Sequence, residues 1–256
     1  MWKNLRIGLL LLVLAAVAIQ AWRDRIETQS WRQPLWVGIF PVNGDGTVEA
    51  RRFVEALTVN DFAPIEAFFA REAARYGLEI ARPVHVELYP RSSELPPALA
   101  PDSGALAIAW WSLKLRWYAR RASQLPGRAP PRIRLFVLFH DPSTLRVAPD
   151  SHGLQKGLVG VVHVFADPAM NGSNDVVIAH ELLHTVGASD KYDLATGEPL
   201  FPSGYGERDQ VPRYPQQRAE IMAGRRALSV RESEMPGSLQ EVVVGPETAR
   251  EIRWTH

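Results

Sequence analysis

The alternation of apolar and polar positions predicts a chain that mixes strands with helices. Short runs rich in Val, Ile and Phe, bounded by turn residues, are typical of strands. Such runs lie at 35–40, 84–89, 132–139 and 158–165. In the second run Val84, Val86 and Leu88 alternate with polar residues, so we expect a strand with one exposed face.

Apolar residues at helical spacing predict further elements. Phe62, Ile65 and Phe69 share one face of a predicted helix over 61–76, which Asp61 caps and Gly77 ends. Residues 105–111 fit a strand or a helix, and residues 117–121 fit a helix. A late strand is expected at 239–244 and a final helix at 246–254, whereas 90–104 and 140–156 are expected to be loop and connection.

The segment from Ser189 to Pro215 differs from the preceding chain in amino-acid composition. It contains Pro199, Pro202 and Pro212 and several glycines, so it should lack regular secondary structure. Irregular segments of this length are uncommon in compact domains unless they build a functional site. We therefore expect an irregular C-terminal lobe with a functional role.

The N-terminus carries a targeting pattern. Lys3 and Arg6 precede an apolar run from Ile7 to Ile19. A basic start followed by a short apolar run is typical of a signal peptide or an uncleaved signal anchor. We favour a single-pass anchor in the inner (cell) membrane with the body of the chain in the periplasm or otherwise outside the cytoplasm. Secretion after signal cleavage is the alternative.

Composition narrows the possible chemistry. The 256 residues have a formal net charge of +1, with no long basic run, so nucleic-acid binding has no electrostatic support. There is no cysteine, which excludes disulfides and thiolate metal sites. Any metal would have to be held by histidines and carboxylates. Oligomeric state is left open.

The chemistry concentrates at His180-Glu181-Leu182-Leu183-His184. Residues four apart lie on one face of a helix, so His180 and His184 can offer two imidazoles to one metal ion. Glu181 lies one residue after the first imidazole, where its carboxylate can act on a water at the metal. Zinc suits imidazole ligands, and its catalytic sites use three protein ligands and one open position.

Several residues could supply a third ligand. His140, His152 and His163 are each possible, although lone histidines near strand ends and in loops are more often structural. The apolar residues around the motif, and Asn174 or Asp175 as cap, favour a buried helix that Gly187 ends.

The longer pattern resembles the metzincin type of zinc metalloprotease, whose signature is HExxHxxGxxH, or D in the last position, followed by a turn that contains Met. His180, Glu181, His184, Gly187 and Asp190 match the variant with Asp. The stretch that follows is similar to the immune-inhibitor A-like and snapalysin-like bacterial families. Residues 221–224, which contain Met222, would supply the Met-turn beneath the metal.

The resemblance implies a zinc ion held by His180, His184 and Asp190. Gly187 agrees with this, because glycine lets the chain leave the helix sharply and return to the metal three residues later. Asp193 is the nearest rival ligand, and Glu220 would be the ligand in a site completed from a second helix. Gly187 and the irregular sequence after it argue against Glu220.

The implied activity is hydrolysis of peptide bonds, with zinc as cofactor, Glu181 as the base and a peptide or protein as substrate. Tyr192, Tyr205 or Tyr214 could stabilise the oxyanion. The family places a substrate-binding edge strand just before the active-site helix, so we expect the cleft beside residues 158–165.

Two other functions are open. A zinc-stabilised binding or scaffold protein could keep a protease-like fold without turnover, although Glu181 would then be unnecessary. A zinc hydrolase that cleaves a non-peptide amide is the other alternative.

We therefore expect an α+β, metzincin-like (zincin-like) fold with a mixed twisted sheet, an active-site helix and an N-terminal transmembrane or signal helix. The predicted segments are a signal anchor at 1–22, a linker at 23–33 and a metalloprotease domain at 34–256. Within that domain the lobes would be 34–187 and 188–256.

Overall fold

The computed structural model describes residues 26–100, 103–154 and 157–255, together with Arg6, Gly8 and Arg23. The predicted anchor at 1–22 lies outside the described residues except for Arg6 and Gly8. Among the helices of the described part, none combines the length and the apolar character needed to cross a bilayer.

A five-stranded mixed sheet forms the centre of the described chain. Its strands are β1 (Leu35–Asn43), β2 (Val84–Leu88), β3 (Ile133–His140), β4 (His152–Leu154) and β5 (Val159–Phe165). The order is β2-β1-β3-β5-β4. β4 is antiparallel to β5 and the other pairings are parallel. The four predicted strands are thus present, with ends shifted by at most three residues.

The substrate-binding edge was expected beside residues 158–165. β5 pairs with β3 along its whole length, and β4 covers Val159–Val161 on the other side, so only this part of β5 is interior to the sheet. The edge strand is β4, which lies inside the region predicted as a connection. Interior parallel strands are covered on both faces and carry nearly continuous apolar sequence, as β5 does.

Helices cover both faces of the sheet. Side chains alternate along each strand, so Val37 and Ile39 enter one core whereas Phe40 and Val42 enter another. The first core receives α1 (Val48–Ala56), α2 (Ala63–Arg75) and α4 (Asn171–Thr185). The second receives α3 (Ala105–Ala122). The fold is therefore a mixed α/β fold.

The helices differ from the expectations in detail. α3 settles the ambiguity at 105–121 in favour of one helix. The predicted helix over 61–76 is a 3₁₀ turn, Val59–Phe62, followed by α2. α4 begins before Asn174, whose side-chain amide instead bonds the backbone of Phe165 and ties the helix to the end of β5.

Residues after α4 are mostly irregular, as predicted. Their regular pieces are β6 (Ala219–Glu220), β7 (Arg226–Ala227), β8 (Ser233–Glu234), β9 (Val242–Val243) and α5 (Pro246–Glu251). The predicted strand at 239–244 is a 3₁₀ turn, Leu239–Glu241, and then β9. Apolar side chains of this region, such as Ile221, Val242 and Trp254, join the first core.

The predicted linker at 23–33 packs against the domain over its second half. The indole of Trp31 is buried, donates to the carbonyl of Ile252 and contacts Trp254 edge-on. Gln29 donates to the carbonyls of Val186 and Glu251, at the ends of α4 and α5. These contacts tie the segment to the ends of α4 and α5.

Asp175 gives the fold a pH dependence. Burial in α4, and then the nearby charge of Asp61, raise the pKa of Asp175 from 3.8 to about 7. The folded state then holds this proton more tightly than the unfolded chain, so stability falls as pH rises from about 4 to about 7. Replacement of Asp175 by Asn removes this penalty.

We expect Asp175→Asn to raise the free energy of unfolding at pH 8 by up to about 4 kcal/mol, and to have little effect near pH 4. Urea unfolding at the two pH values measures this. Asp209→Asn, at an exposed carboxylate, is the matched control and should change little at either pH. Equal effects of Asp175→Asn at both pH values would contradict the expectation.

Candidate metal centre

The two histidines of the motif meet on one side of α4. One helical turn separates them, and their Nε2 atoms lie 3.0 Å apart. Both side chains are mostly covered, with 12% of His180 and 18% of His184 exposed. The i,i+4 spacing therefore brings both imidazoles to one point, as the sequence predicted.

Backbone carbonyls fix which ring nitrogen carries the proton. Nδ1 of His180 lies 2.9 Å from the carbonyl oxygen of Ile221, and Nδ1 of His184 lies 2.9 Å from that of Ala188. A carbonyl only accepts hydrogen bonds, so each Nδ1 is the donor. In the neutral rings both Nε2 atoms then present lone pairs towards each other. Orientation of a ligating imidazole by its other nitrogen is common at metal sites.

The end of α4 returns the chain to the imidazoles. Gly187 has a φ of 104°, a left-handed conformation that favours glycine. The N–H of Gly187 donates to the carbonyl of His184, and the N–H of Ala188 donates to the carbonyl of Leu183. These two bonds are the pattern of a Schellman cap. Three residues after Gly187, Oδ1 of Asp190 lies 3.2 Å from Nε2 of His180 and 3.1 Å from Nε2 of His184.

These three atoms form a triangle suited to zinc. Ligands at about 2.0–2.1 Å in a tetrahedral arrangement are separated by about 3.3 Å, close to the sides observed. Glu181 also belongs to a group with the two histidines, whose candidate ligand atoms lie within 4.8 Å of one another. The shorter distances favour Asp190 as the third ligand. The side chain of Asp190 is 30% exposed although its Oδ1 atom is buried, so the site borders solvent beside this residue.

Charges around the triangle favour a cation. Burial opposes the ionisation of Asp190, but the two adjacent imidazoles hold the pKa of its carboxyl well below the usual range. Burial alone would lower the pKa of His180, and the carboxylates of Asp190 and Glu181 raise it. A proton between two atoms of the triangle leaves the third unsatisfied, whereas one metal ion satisfies all three.

Glu181 has a free carboxylate oxygen beside the triangle. The residue is 5% exposed, and its Oε2 makes no hydrogen bond within the described residues. Burial raises the pKa of Glu181, and the histidines at 180 and 184 oppose that rise. Buried oxygens without partners are rare and call for an explanation. A polar group arriving from solvent or substrate would supply one.

The turn that contains Met222 connects two sides of the site. The carbonyl of Ile221 orients His180, and the carbonyl of Met222 accepts from the N–H of Lys191, the neighbour of Asp190. Met222 itself is fully buried. Glu220 does not approach the imidazoles as a ligand, because its oxygens accept from the N–H groups of Met222, Ala223 and Gly245 and from the hydroxyl of Thr248.

A partly buried ion pair holds the segment on which Asp190 lies. The ammonium of Lys191 contacts both oxygens of Glu251 at 2.8–2.9 Å and the carbonyl of Ser189 at 2.8 Å. Glu251 also accepts from the N–H and the hydroxyl of Ser189. The residues on both sides of Asp190 are thus fastened to α5. This contact could not be predicted from sequence, because Lys191 and Glu251 are 60 residues apart.

The structure does not bring the other candidate ligands to the triangle. Asp193 is exposed, and its Oδ1 accepts from the backbone of Ala195 and Thr196. His140 and His163 form a separate stacked pair, with Nε2 and Nδ1 2.8 Å apart. Burial, and then His140, lower the pKa of His163 to about 4.

One of the three candidate tyrosines lies beside the site. The ring centroid of Tyr192 is 6.4 Å from that of His180. Burial, and then the charges of Asp190 and Glu181, raise the pKa of Tyr192, so its hydroxyl keeps its proton. The hydroxyls of Tyr205 and Tyr214 are 2.7 Å apart and bond each other. Tyr192 is therefore the tyrosine placed to donate near the triangle.

The edge strand β4 packs directly on the motif. A Cβ added to Gly153 would lie 2.5 Å from the carbonyl oxygen of Glu181 and 2.6 Å from Cβ of His184. Both atoms belong to or adjoin the helix backbone, so they cannot move aside easily. Only glycine permits this approach. The outer side of β4 has no strand partner in the described residues.

We expect Gly153→Ala to displace β4 from α4 and to lower the free energy of unfolding by about 1–3 kcal/mol. Thermal unfolding of the variant measures this. Gly237→Ala is the matched control, because its new Cβ would meet only the side chain of Glu241 at 3.4 Å. Equal stability of the two variants would contradict the close contact between β4 and α4.

Comparisons with known proteins leave the family open. No family model matches the chain, and a search of curated proteins returns no significant match. What the structure itself shows is a His180–Glu181–His184 group able to hold a metal ion, on a mixed α/β fold.

Proposed function

We propose that this protein is a zinc-dependent endopeptidase of the metzincin type. The observation that carries the proposal is the triangle of His180 Nε2, His184 Nε2 and Asp190 Oδ1, with sides of 3.0–3.2 Å. The sharp exit at Gly187 and the buried turn at Met222 support the same assignment. Two imidazoles, one carboxylate and an open side make a donor set typical of catalytic zinc.

The chain's own residues provide the remaining chemistry. Bound in the triangle, zinc would supply Lewis acidity, which activates water and polarises a carbonyl. Glu181 would accept the proton from the attacking water and return it to the leaving amine. The raised pKa of Glu181 suits a group that must both take and release a proton. Tyr192 would donate to the oxyanion.

β4 offers a place for an extended substrate. A peptide that added to the free side of this strand would run past Gly153, whose backbone lies against Glu181 and His184. Strand addition binds the main chain of a peptide through hydrogen bonds, with limited dependence on its side chains. This geometry favours a peptide substrate over a small non-peptide amide.

The alternative of a non-catalytic scaffold has a weaker basis. Structural zinc sites are closed by four protein ligands and need no base. Here the third ligand is partly exposed, and Glu181 Oε2 is buried beside the site without a partner. Attachment to a membrane through residues 1–22, with the domain outside the cytoplasm, remains a prediction from the sequence.

Hydrolysis of unfolded casein by the zinc-loaded chain tests the proposal. We expect new peptide termini, found by mass spectrometry, that incorporate ¹⁸O from labelled water and disappear when a chelator removes zinc. Readdition of zinc should restore them. If the chain bound both zinc and casein but produced no new peptide termini, the result would instead support a non-catalytic scaffold.

A further inference from the structure

α3 has two apolar faces, and within the described residues only one of them packs against the rest of the protein. Trp111, Leu115 and Tyr118 face the sheet and are at most 6% exposed. A second row consists of Leu106, Trp110, Leu113 and Trp117, which are 88%, 61%, 56% and 63% exposed. Spacings of four, three and four residues place this row on one side of the helix. Single exposed apolar residues are ordinary, but an aligned row of this size marks an interaction surface.

Cations flank the exposed row. α3 contains Lys114, Arg116, Arg120 and Arg121 and has no acidic residue. The Lys114 ammonium lies 5.5 Å from the ring centroid of Trp110, and the Arg121 guanidinium lies 4.9 Å from that of Trp117. Glu94 pairs with Arg121. The surface therefore combines tryptophan, leucine and positive charge.

We propose that this face of α3 docks on the surface of an anionic lipid bilayer. Helices that lie in a membrane interface carry Trp and Leu on one side and Lys or Arg beside them. Tryptophan prefers the headgroup level, and anionic headgroups attract the cations. Lys114, Arg120 and Arg121 are exposed and stand beside the row, where they would meet the headgroups as the row enters.

Charge argues against a second copy as the occupant. In a symmetric dimer the same patch meets itself, so the cations of α3 would face one another. A bilayer rich in anionic lipid meets them with opposite charge. This inference is independent of the proposed peptidase activity, because α3 and α4 cover opposite faces of the sheet. Docking through α3 would leave the metal centre turned away from the lipid.

A spin label on α3 tests the docking in the full chain. The sequence has no cysteine, so Leu113→Cys provides a single labelling site. Val211→Cys, at a 93% exposed apolar residue in the C-terminal region, is the matched control. The readout is the collision rate of the label with a neutral, water-soluble nickel complex. A membrane anchor at the N-terminus would not bury either label by itself.

On vesicles of phosphatidylcholine with roughly 30% phosphatidylserine we expect the nickel collision rate at position 113 to fall about five-fold or more, and that at 211 to stay unchanged. In the labelled Leu113→Cys protein, the further substitutions Lys114→Glu and Arg120→Glu should restore the collision rate at position 113 to its value without vesicles. The proposal would be overturned if the collision rate at position 113 did not fall, or if it fell equally on vesicles of pure phosphatidylcholine. Protection that grows with protein concentration without vesicles would also overturn it and indicate self-association.

Discussion

Replacement of Glu181 by Gln should leave zinc bound and lower the rate of peptide hydrolysis by about a thousand-fold or more. Glutamine keeps the shape of the side chain but cannot accept the proton from water. Zinc should stay because the shortest contacts in the site join His180, His184 and Asp190. The expected signature is therefore a loss of turnover at full metal content.

Steady-state hydrolysis of a fluorogenic peptide, together with zinc analysis of the same sample, measures both quantities. Glu79→Gln is the matched control, because Glu79 is exposed and remote in sequence from the motif. It should retain wild-type activity. Full activity of the Glu181→Gln protein would contradict the role of this carboxylate as base, and loss of its zinc would show that Glu181 is a ligand.

Replacement of Asp190 by Ala should weaken zinc binding by about a hundred-fold or more, since even outer partners of metal ligands contribute 10–100-fold. The triangle would keep its two imidazoles and lose its only anionic corner. Competition with a chromophoric chelator measures the affinity. Hydrolysis should fall in parallel at limiting zinc.

Asp193→Ala is the control that separates the two aspartates. Asp193 is exposed, and its carboxylate caps a local turn through Ala195 and Thr196. Its removal should leave zinc affinity unchanged. The reverse result, with zinc lost from the Asp193 variant and kept by the Asp190 variant, would contradict the ligand set proposed above.

The predictable part of the site is the part that local geometry dictates. The spacing of His180 and His184 places them on one helical face, and Gly187 supplies the conformation that reverses the chain. These two rules depend only on neighbours in sequence. The place of Asp190 was implied by the resemblance to the metzincin signature, and its Oδ1 does lie 3.1–3.2 Å from the two Nε2 atoms.

The parts that sequence could not predict depend on distant partners. β4 has three residues and includes Gly153, so its sequence lacks the length and the composition from which a strand is predicted. It forms because β5 supplies hydrogen bonds and α4 supplies a surface. The ion pair between Lys191 and Glu251 likewise could not be predicted from the sequence. The burial of both faces of β5 did have a signal, because its apolar run is nearly continuous.

The same distinction applies to the larger elements. Strands β1 and β3 were predictable because long β-branched and aromatic runs suit few other environments. α1 was not predicted, since it extends over only nine residues and four of them are charged. The exposed row on α3 was also hidden, because apolar residues occur all around that helix and only packing shows which face stays exposed.

The central claim is a zinc ion held by two imidazoles and one carboxylate. A crystal structure of the zinc-loaded chain, with anomalous scattering recorded at the zinc edge, tests it most directly. We predict one zinc ion within about 2.0–2.2 Å of His180 Nε2, His184 Nε2 and an oxygen of Asp190, with its fourth position open beside Glu181. A zinc ion bound by Glu181 in place of Asp190, or one bound elsewhere, would contradict the account.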